Sequence, residues 1–281
     1  MDFCLKIRKM KKIWILSCCL LGLNASAQSI VASWNFNSTV NDANVATGVL
    51  TPASGTGTAT GIGGVVQTYA TGNPTDLNLS DNSGMQTTTY PAAGTNPKTA
   101  GVQFDVNSTG FNRLILEFYQ RLSNTSANTW TLQYTLDKTG VSTGGTVAWT
   151  DATTWTFTPA ATGTGDIWYF RSYDFSSITG LNNNVNAGFR VVSNFDPITG
   201  NYLASRSTST YATSGTSRFD LITIKEAIGT ASIVAASNVQ YVTETSGTIN
   251  VPVTFAKANN ASAKVKISVS SYSDALSSSD Y

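Results

Sequence analysis

Three features predict an all-β protein. After residue 28 no segment sustains a helical apolar period, short runs with an apolar residue at every second position recur throughout, and clusters of Gly, Asn, Ser and Thr bound those runs. Predicted strands cover 30–36, 65–69, 100–106, 113–121, 130–136, 155–157, 167–175, 187–195 and 218–225. In 113–121, Leu114, Leu116 and Phe118 share one parity, whereas Arg113, Glu117, Tyr119 and Arg121 share the other. One face is therefore core and the other polar, the pattern of an antiparallel strand in a sandwich. Roughly nine such strands in one region predict a two-sheet, jelly-roll-like antiparallel β-sandwich, with an up-and-down barrel as the competitor.

Taken in order, the chain opens with a segment to be set aside. Lys6, Arg8, Lys9, Lys11 and Lys12 form a basic stretch, 13–23 an apolar one, and Ala25-Ser26-Ala27 a small-x-small cleavage site. Residues 1–27 read as a secretory signal peptide, because the apolar run is short for crossing about 30 Å of hydrocarbon. The expected localisation is secreted or cell surface, with no membrane span in the mature chain. Cys4, Cys18 and Cys19 are the only cysteines and leave with this segment, so no disulfide framework is expected. Losing its five basic residues and one acidic residue takes the formal net charge from +1 to −3. A surface built for nucleic acid would be basic, and none is expected here.

The sandwich is expected to occupy 28–228. After 30–36, whose Trp34-Asn35-Phe36 suits a terminal or edge strand, 51–64 is dominated by Gly, Thr, Ala and Ser and reads as a long loop. Within it, Gly61-Ile62-Gly63-Gly64 lacks the Lys-Ser/Thr and helix of a phosphate loop. The stretch 227–231 is the expected domain boundary.

No histidine occurs in the chain, which removes the commonest general base and transition-metal ligand. A zinc site, a cysteine nucleophile and a Ser-His-Asp triad are excluded in the mature protein. Carboxylate pairs remain, but only Glu117, Glu226 and Glu244 are glutamates. Glu117 shares its strand face with Tyr119 and Arg121 and is expected to be solvated or paired with arginine. Asp42, Asp76, Asp81, Asp137, Asp151, Asp166 and Asp196 sit beside turn formers and are expected to bond the backbone there. No catalytic residue is assigned within this chain.

Aromatic residues point to a different activity. Trp130, Trp149, Trp155 and Trp168, with Tyr119, Tyr134, Tyr169 and Tyr173, crowd the middle of the region. Most alternate with polar residues at strand period and are expected in the core. Trp149 and Trp155, in a Gly/Thr-rich neighbourhood, are the expected exceptions, presenting rings on which a sugar can stack.

Two resemblances follow from the residues. The succession Ala32-Ser33-Trp34-Asn35-Phe36, Asn82-Ser83-Gly84, Gly101-Val102-Gln103-Phe104, Tyr119-Gln120-Arg121-x-Ser123-Asn124, Trp130-Thr131-Leu132-Gln133-Tyr134 and Phe189-Arg190-Val191-Val192 resembles N-terminal β-sandwich domains of secreted bacterial multidomain proteins. That implies export and a sandwich. Residues 231–281 carry Tyr241-x-x-Glu244-x-x-Gly247, alternating apolar residues through Phe255, and a closing Asp280-Tyr281. This resembles the N-terminal half of a Calx-beta domain and implies a truncated Ig-like β-sandwich. It also implies calcium binding through Glu244 and Asp280, although Ser273 to Ser278 depart from the family's usual turn. Two carboxylates fall short of the roughly six to eight oxygens that Ca²⁺ takes, so further ligands are expected beyond Tyr281.

The chain thus reads as an exported, non-catalytic surface or extracellular protein acting in adhesion, binding or presentation of downstream domains, with polysaccharide or cell-surface components as partners. The alternative is the targeting or carbohydrate-binding portion of a larger secreted hydrolase, a nuclease or glycosidase. Calorimetry on a protein carrying the whole Calx-beta-like module tests the calcium expectation: Glu244→Gln and Asp280→Asn are each expected to weaken Ca²⁺ binding. Unchanged affinity in both rules these ligands out.

Overall fold

Alternation of apolar and polar residues yields strands whose two faces differ, and two such sheets bury their apolar faces against each other. A computed structural model describes residues 29–77, 80–157, 167–227, 233–235 and 253–255. The strands are β1 (Ile30–Trp34), β2 (Ser54–Gly55), β3 (Gly57–Ile62), β4 (Val66–Thr71), β5 (Ser83–Thr88), β6 (Gly101–Val106), β7 (Leu114–Leu122), β8 (Thr129–Thr135), β9 (Thr150–Thr156), β10 (Trp168–Asp174), β11 (Ala187–Asn194) and β12 (Ser217–Glu226). Only single 3-10 turns at Val141–Thr143 and Thr179–Leu181 interrupt the all-β pattern among the described residues. Residues Gln28–Ala227 form one compact unit. Separately, β13 (Ile233–Ala235) pairs antiparallel with β14 (Val253–Phe255).

One sheet has five strands in the order β3-β6-β11-β8-β9, and the other seven, along β10-β7-β12-β1-β2 with β5 on β12 and β4 on β5. All pairings are antiparallel, and most neighbours are distant in sequence, as in a jelly-roll-like sandwich. Leu114, Leu116, Phe118 and Leu122 of β7 are buried while Glu117, Tyr119 and Arg121 are partly exposed, matching the expected faces.

The core between the sheets is built from rings. Trp34 of β1 meets Phe104 of β6 at 5.2 Å between centroids, and Trp130 of β8 meets Phe219 of β12 edge to face at 5.9 Å. Trp130 is 0% exposed, and its indole N–H donates to the Ala127 carbonyl at 2.8 Å, so no polar atom is stranded.

β12 is kinked. Its residues Ser217, Arg218 and Phe219 pair with β5, and Ile222, Thr223, Ile224 and Lys225 pair with β1, while β7 accompanies it along the other side. Between these segments the register shifts at Asp220 to Thr223, and Leu221 takes a left-handed φ of 49°. The extra residue is a β-bulge, which bends the strand and increases its twist.

Several expectations need correction. Residues 57–62, read as loop, form the edge strand β3, which pairs with β6 from Gly57↔Val106 to Ile62↔Gly101. Low side-chain volume hid it, because an edge strand lying on β6 needs backbone pairing more than bulk. β5 was missed because Ser83, Gly84, Thr87 and Thr88 surround its single large apolar residue, Met85. The strand expected at 155–157 begins earlier, at Thr150. Residues 1–27 and most of 231–281, with the signal peptide and the Calx-beta pattern, lie outside the described residues.

Two substitutions test the packing. Trp130→Ala is expected to destabilise the protein by about 3–5 kcal/mol. A Cβ at Gly72 would lie 1.9 Å from Asn82 Oδ1 and 2.5 Å from Asp220 Oδ2, so Gly72→Ala is expected to cost about 1–3 kcal/mol. Urea unfolding monitored by tryptophan fluorescence measures both.

Candidate functional site

The outer face of the five-stranded sheet receives the polar parity of its strands. Register places Thr60, Gln103, Arg190, Gln133 and Asp151 in one row across β3, β6, β11, β8 and β9. Arg190 Nε donates to Gln133 Oε1 at 2.5 Å, and Gln133 Nε2 donates to Asp151 Oδ1 at 2.6 Å. Lys98 donates from Nζ to the other Asp151 oxygen and forms an ion pair with it. Burial opposes ionisation of Asp151, but the Lys98 and Gln133 hydrogen bonds, with the charges of Lys98 and Arg190, hold its pKa below the ordinary carboxylate value.

The adjacent row carries Asp105, Gly188 and Thr135. The Trp149 indole comes close to Gly188: a Cβ there would meet its Cη2 at 3.3 Å and Asp105 Oδ1 at 2.9 Å. The Arg190 guanidinium carbon sits 4.3 Å from the Trp149 ring centroid. This is a cation–π contact that covers one face of the ring. Desolvation brings the Arg190 pKa down to about 10, with Asp151 acting in the opposite sense, and burial raises that of Asp105.

Trp155 lies elsewhere. It projects inward from β9, meets Phe118 edge to face at 5.7 Å, and has the Arg171 guanidinium 5.5 Å from its centroid. Trp149 and Trp155 therefore occupy opposite faces of the five-stranded sheet. Of the other aromatics, Trp130 is core, while Tyr134, Tyr169 and Tyr173 are partly buried and pack against it. Tyr119 turns outward on the seven-stranded sheet, against Phe170 at 5.2 Å.

That second outer face carries its own row, Trp168, Arg121, Arg218, Gln86 and Thr68, across β10, β7, β12, β5 and β4. A cleft of about 490 Å³ opens here, lined by Val45, Thr71, Gly72, Pro74, Asn82, Arg121, Trp168 and Arg218. Sequence reasoning did not single out Arg190 or Arg218, although both fall on the polar parity of their strands.

The carboxylates settle into structural roles. Glu117 is ion-paired with Lys225, Oε2 to Nζ 2.6 Å, so its partner is lysine and not arginine. Asp42, Asp137 and Asp196 accept backbone N–H groups two or three residues on, as turn residues do. Asp151 departs from that expectation by sitting on β9. Asp220 is fully buried, accepting the N–H of Asn73 at 2.6 Å and that of Leu221 at 2.7 Å. Burial pushes its pKa well above the ordinary aspartate value. Among the described residues no group of three or more Asp, Glu, His or Cys is arranged to hold a metal ion. Glu244 and Asp280 lie outside the described residues. No described helix is long and apolar enough to cross a membrane.

No family model matches the chain, and no curated protein matches it. Among solved structures, it is similar to the C-terminal family 22 carbohydrate-binding module of a Clostridium thermocellum xylanase, with 11% identity and a TM-score of 0.40 over 72% of this chain and 96% of that one. A two-module fragment of the same organism's endo-1,4-β-D-xylanase, complexed with xylohexaose, gives 11% identity and a TM-score of 0.39 over 78% of this chain. This chain spans 30% of that fragment's length. The K1 cleaved adhesin domain of Lys-gingipain from Porphyromonas gingivalis gives 11% identity and 0.36, over 69% of this chain and 97% of that one.

Asp220 makes stability depend on pH with a defined sign. A raised pKa means that the folded state holds the proton more tightly than the unfolded state. The group therefore lowers stability as the pH rises past the ordinary value of about 3.9. Asp220→Asn is expected to remove that part of the slope in denaturant titrations at a series of pH values, whereas an unchanged slope refutes it.

Proposed function

We propose that residues 28–227 bind a polysaccharide on the outer face of the five-stranded sheet and carry out no chemistry on it. One observation supports this most directly. The Gln103-Arg190-Gln133-Asp151 row, closed by Lys98, presents donors and acceptors on four adjacent strands, and the Trp149 ring sits beside it against the Arg190 guanidinium. Sugars offer hydroxyls at their rims and C–H groups on their faces, which suit this alternation of polar row and aromatic plate. Because the side chains hold one another, little rotamer entropy remains to be lost on binding.

The proposed roles differ by residue. Trp149 stacks on a sugar face. Gln103, Asp151 and Lys98 hydrogen-bond hydroxyls, and Arg190 braces the ring and the row. Trp155, already wedged between Phe118 and Arg171, contributes through packing. Catalysis is not part of this proposal, since the chain has no histidine and Glu117 is held by Lys225. In a secreted or cell-surface protein such a domain holds its neighbours against a glycan, serving adhesion or the delivery of a hydrolase.

Glycan-array screening followed by affinity electrophoresis on neutral polysaccharides tests this. Trp149→Ala is expected to weaken binding about tenfold or more, in line with stacking contacts of about 1–3 kcal/mol. Trp155→Ala is expected to lower thermal stability first. Absence of any glycan binding, or binding unaffected by Trp149→Ala, overturns the proposal.

A further inference from the structure

A carboxylate in the loop before β5 is buried with half of its oxygens unserved. Asp81 is 0% exposed. Its Oδ2 accepts the Asp42 N–H at 3.4 Å, while its Oδ1 is buried without any donor. A charged oxygen in that position is costly unless a proton or a cation meets it. The ion pairs of the described residues lie elsewhere, at Lys98–Asp151 and Lys225–Glu117. What stands within hydrogen-bonding reach of Asp81 is instead a second carboxyl group, that of Asp42 in the exposed loop after β1. Asp42 Oδ1 accepts the Asn44 N–H at 2.9 Å and Oδ2 the Thr47 hydroxyl at 2.6 Å, and Ser38 Oγ lies 3.2 Å from that same hydroxyl. The Thr47 hydroxyl, and after it the Asn44 N–H, holds the Asp42 carboxyl below the ordinary aspartate value against an opposing desolvation, so the group is an anion at neutral pH. The two loops are already stitched beside the pair. Asn37 donates from Nδ2 to Asp76 Oδ2 at 2.9 Å and accepts the Ser83 N–H at 2.8 Å.

We propose that Asp42 and Asp81 bind a calcium ion that clamps the loop after β1 to the loop before β5, with Asp81 Oδ1 and an Asp42 oxygen as the anionic ligands and the Ser38 and Thr47 hydroxyls as neutral ones. The donor set is all oxygen, which suits a hard cation and not a thiophilic or imidazole-seeking metal. Two carboxylates match the double charge of the ion and relieve their own repulsion on binding it. Among the described residues no third carboxylate groups with them. Water therefore completes the roughly six to eight oxygens that Ca²⁺ takes in flexible geometry, whereas Mg²⁺ demands a near-ideal octahedron and gives up its water reluctantly. Asp81 is the buried, fixed end of the site, and the exposed Asp42 is the end from which an ion enters. These residues are distinct from Glu244 and Asp280, and the site does not depend on glycan binding at the five-stranded face.

Thermal unfolding of the full chain, followed by tryptophan fluorescence in EDTA and in graded Ca²⁺, reads the site in the unmutated protein, because Trp34, Trp130, Trp149, Trp155 and Trp168 all lie in 28–227. The melting temperature is expected to rise with Ca²⁺ concentration, as it does for any ligand that binds only the folded state, and to rise less with equal Mg²⁺. Asp42→Asn, at an exposed position, is expected to weaken Ca²⁺ binding about tenfold or more, since it removes one of two charged ligands. Asp81→Asn is expected to abolish the Ca²⁺ effect and yet to melt no lower than the unmutated protein in EDTA, because it removes an uncompensated buried charge. The double variant Glu244→Gln/Asp280→Asn is expected to keep the Ca²⁺-dependent rise. No rise with Ca²⁺, an equal rise with Mg²⁺, a rise that survives both Asp42→Asn and Asp81→Asn, or one lost in Glu244→Gln/Asp280→Asn, overturns the inference.

Discussion

The seven-stranded sheet depends on the bulge in β12. Two strands, β5 and β1, must pair in succession along one side of β12 while β7 runs along the other. An unbroken strand would carry its hydrogen bonds straight on. The added residue at Leu221, with φ 49°, re-aims the chain between those two partners. A leucine there costs backbone strain, and the Asp220 carboxylate offsets it by accepting the Leu221 N–H. The other oxygen of Asp220 takes the Asn73 N–H and ties down the segment that brings Gly72 and Pro74 to the cleft wall. Gly72 suits this position because a Cβ there would lie 1.9 Å from Asn82 Oδ1 and 2.5 Å from Asp220 Oδ2. Fold and cleft thus share one buried carboxylate, and its raised pKa reflects the burial it accepts in doing so.

The two outer faces use arginine in opposite ways. On the five-stranded sheet Arg190 is absorbed: its Nε goes to Gln133, its plane covers Trp149, and Asp151 with Lys98 closes the row as a locally balanced network. Such a surface offers directed hydrogen-bonding groups and no net local charge. On the other sheet Arg218 has only neutral acceptors and faces Arg121 across the ladder. In both places desolvation depresses the guanidinium pKa, as expected of side chains lying along the sheet.

Much of the fold was legible because strand period is a local property. The faces of β7 could be assigned from Leu114, Leu116 and Phe118 alone, and the terminal strands from Trp34 and from Phe219 with its neighbours. β3 and β5 were not legible, because Gly57 to Ile62 and Ser83 to Thr88 carry few large apolar residues and owe their strand character to partners far along the chain. The site was less visible for the same reason. Trp149 stood out by composition, but its companions come from β6, β8, β9 and β11, and only register reveals that Gln103, Arg190, Gln133 and Asp151 form a line. Trp155 looked equivalent to Trp149 by neighbourhood. The bulge where β8 Leu132/Gln133 meets β9 Thr153/Asp151 changes the parity between them, and with it the face on which each ring emerges.

That bulge also explains why the polar row continues to the sheet edge. With strict alternation, Asp151, Thr153 and Trp155 would emerge on one face of β9. The slip lets Asp151 follow Gln133 outward while Trp155 follows Trp130 inward, so one strand supplies both the end of a hydrogen-bonding row and a wedge for the core. Lys98, reaching over from the segment before β6, then has a carboxylate to bind at the rim. The bulges at Leu221 and between Gln133 and Asp151 therefore decide which side chains face solvent together, and they do so at positions where neither glycine nor proline marks the sequence.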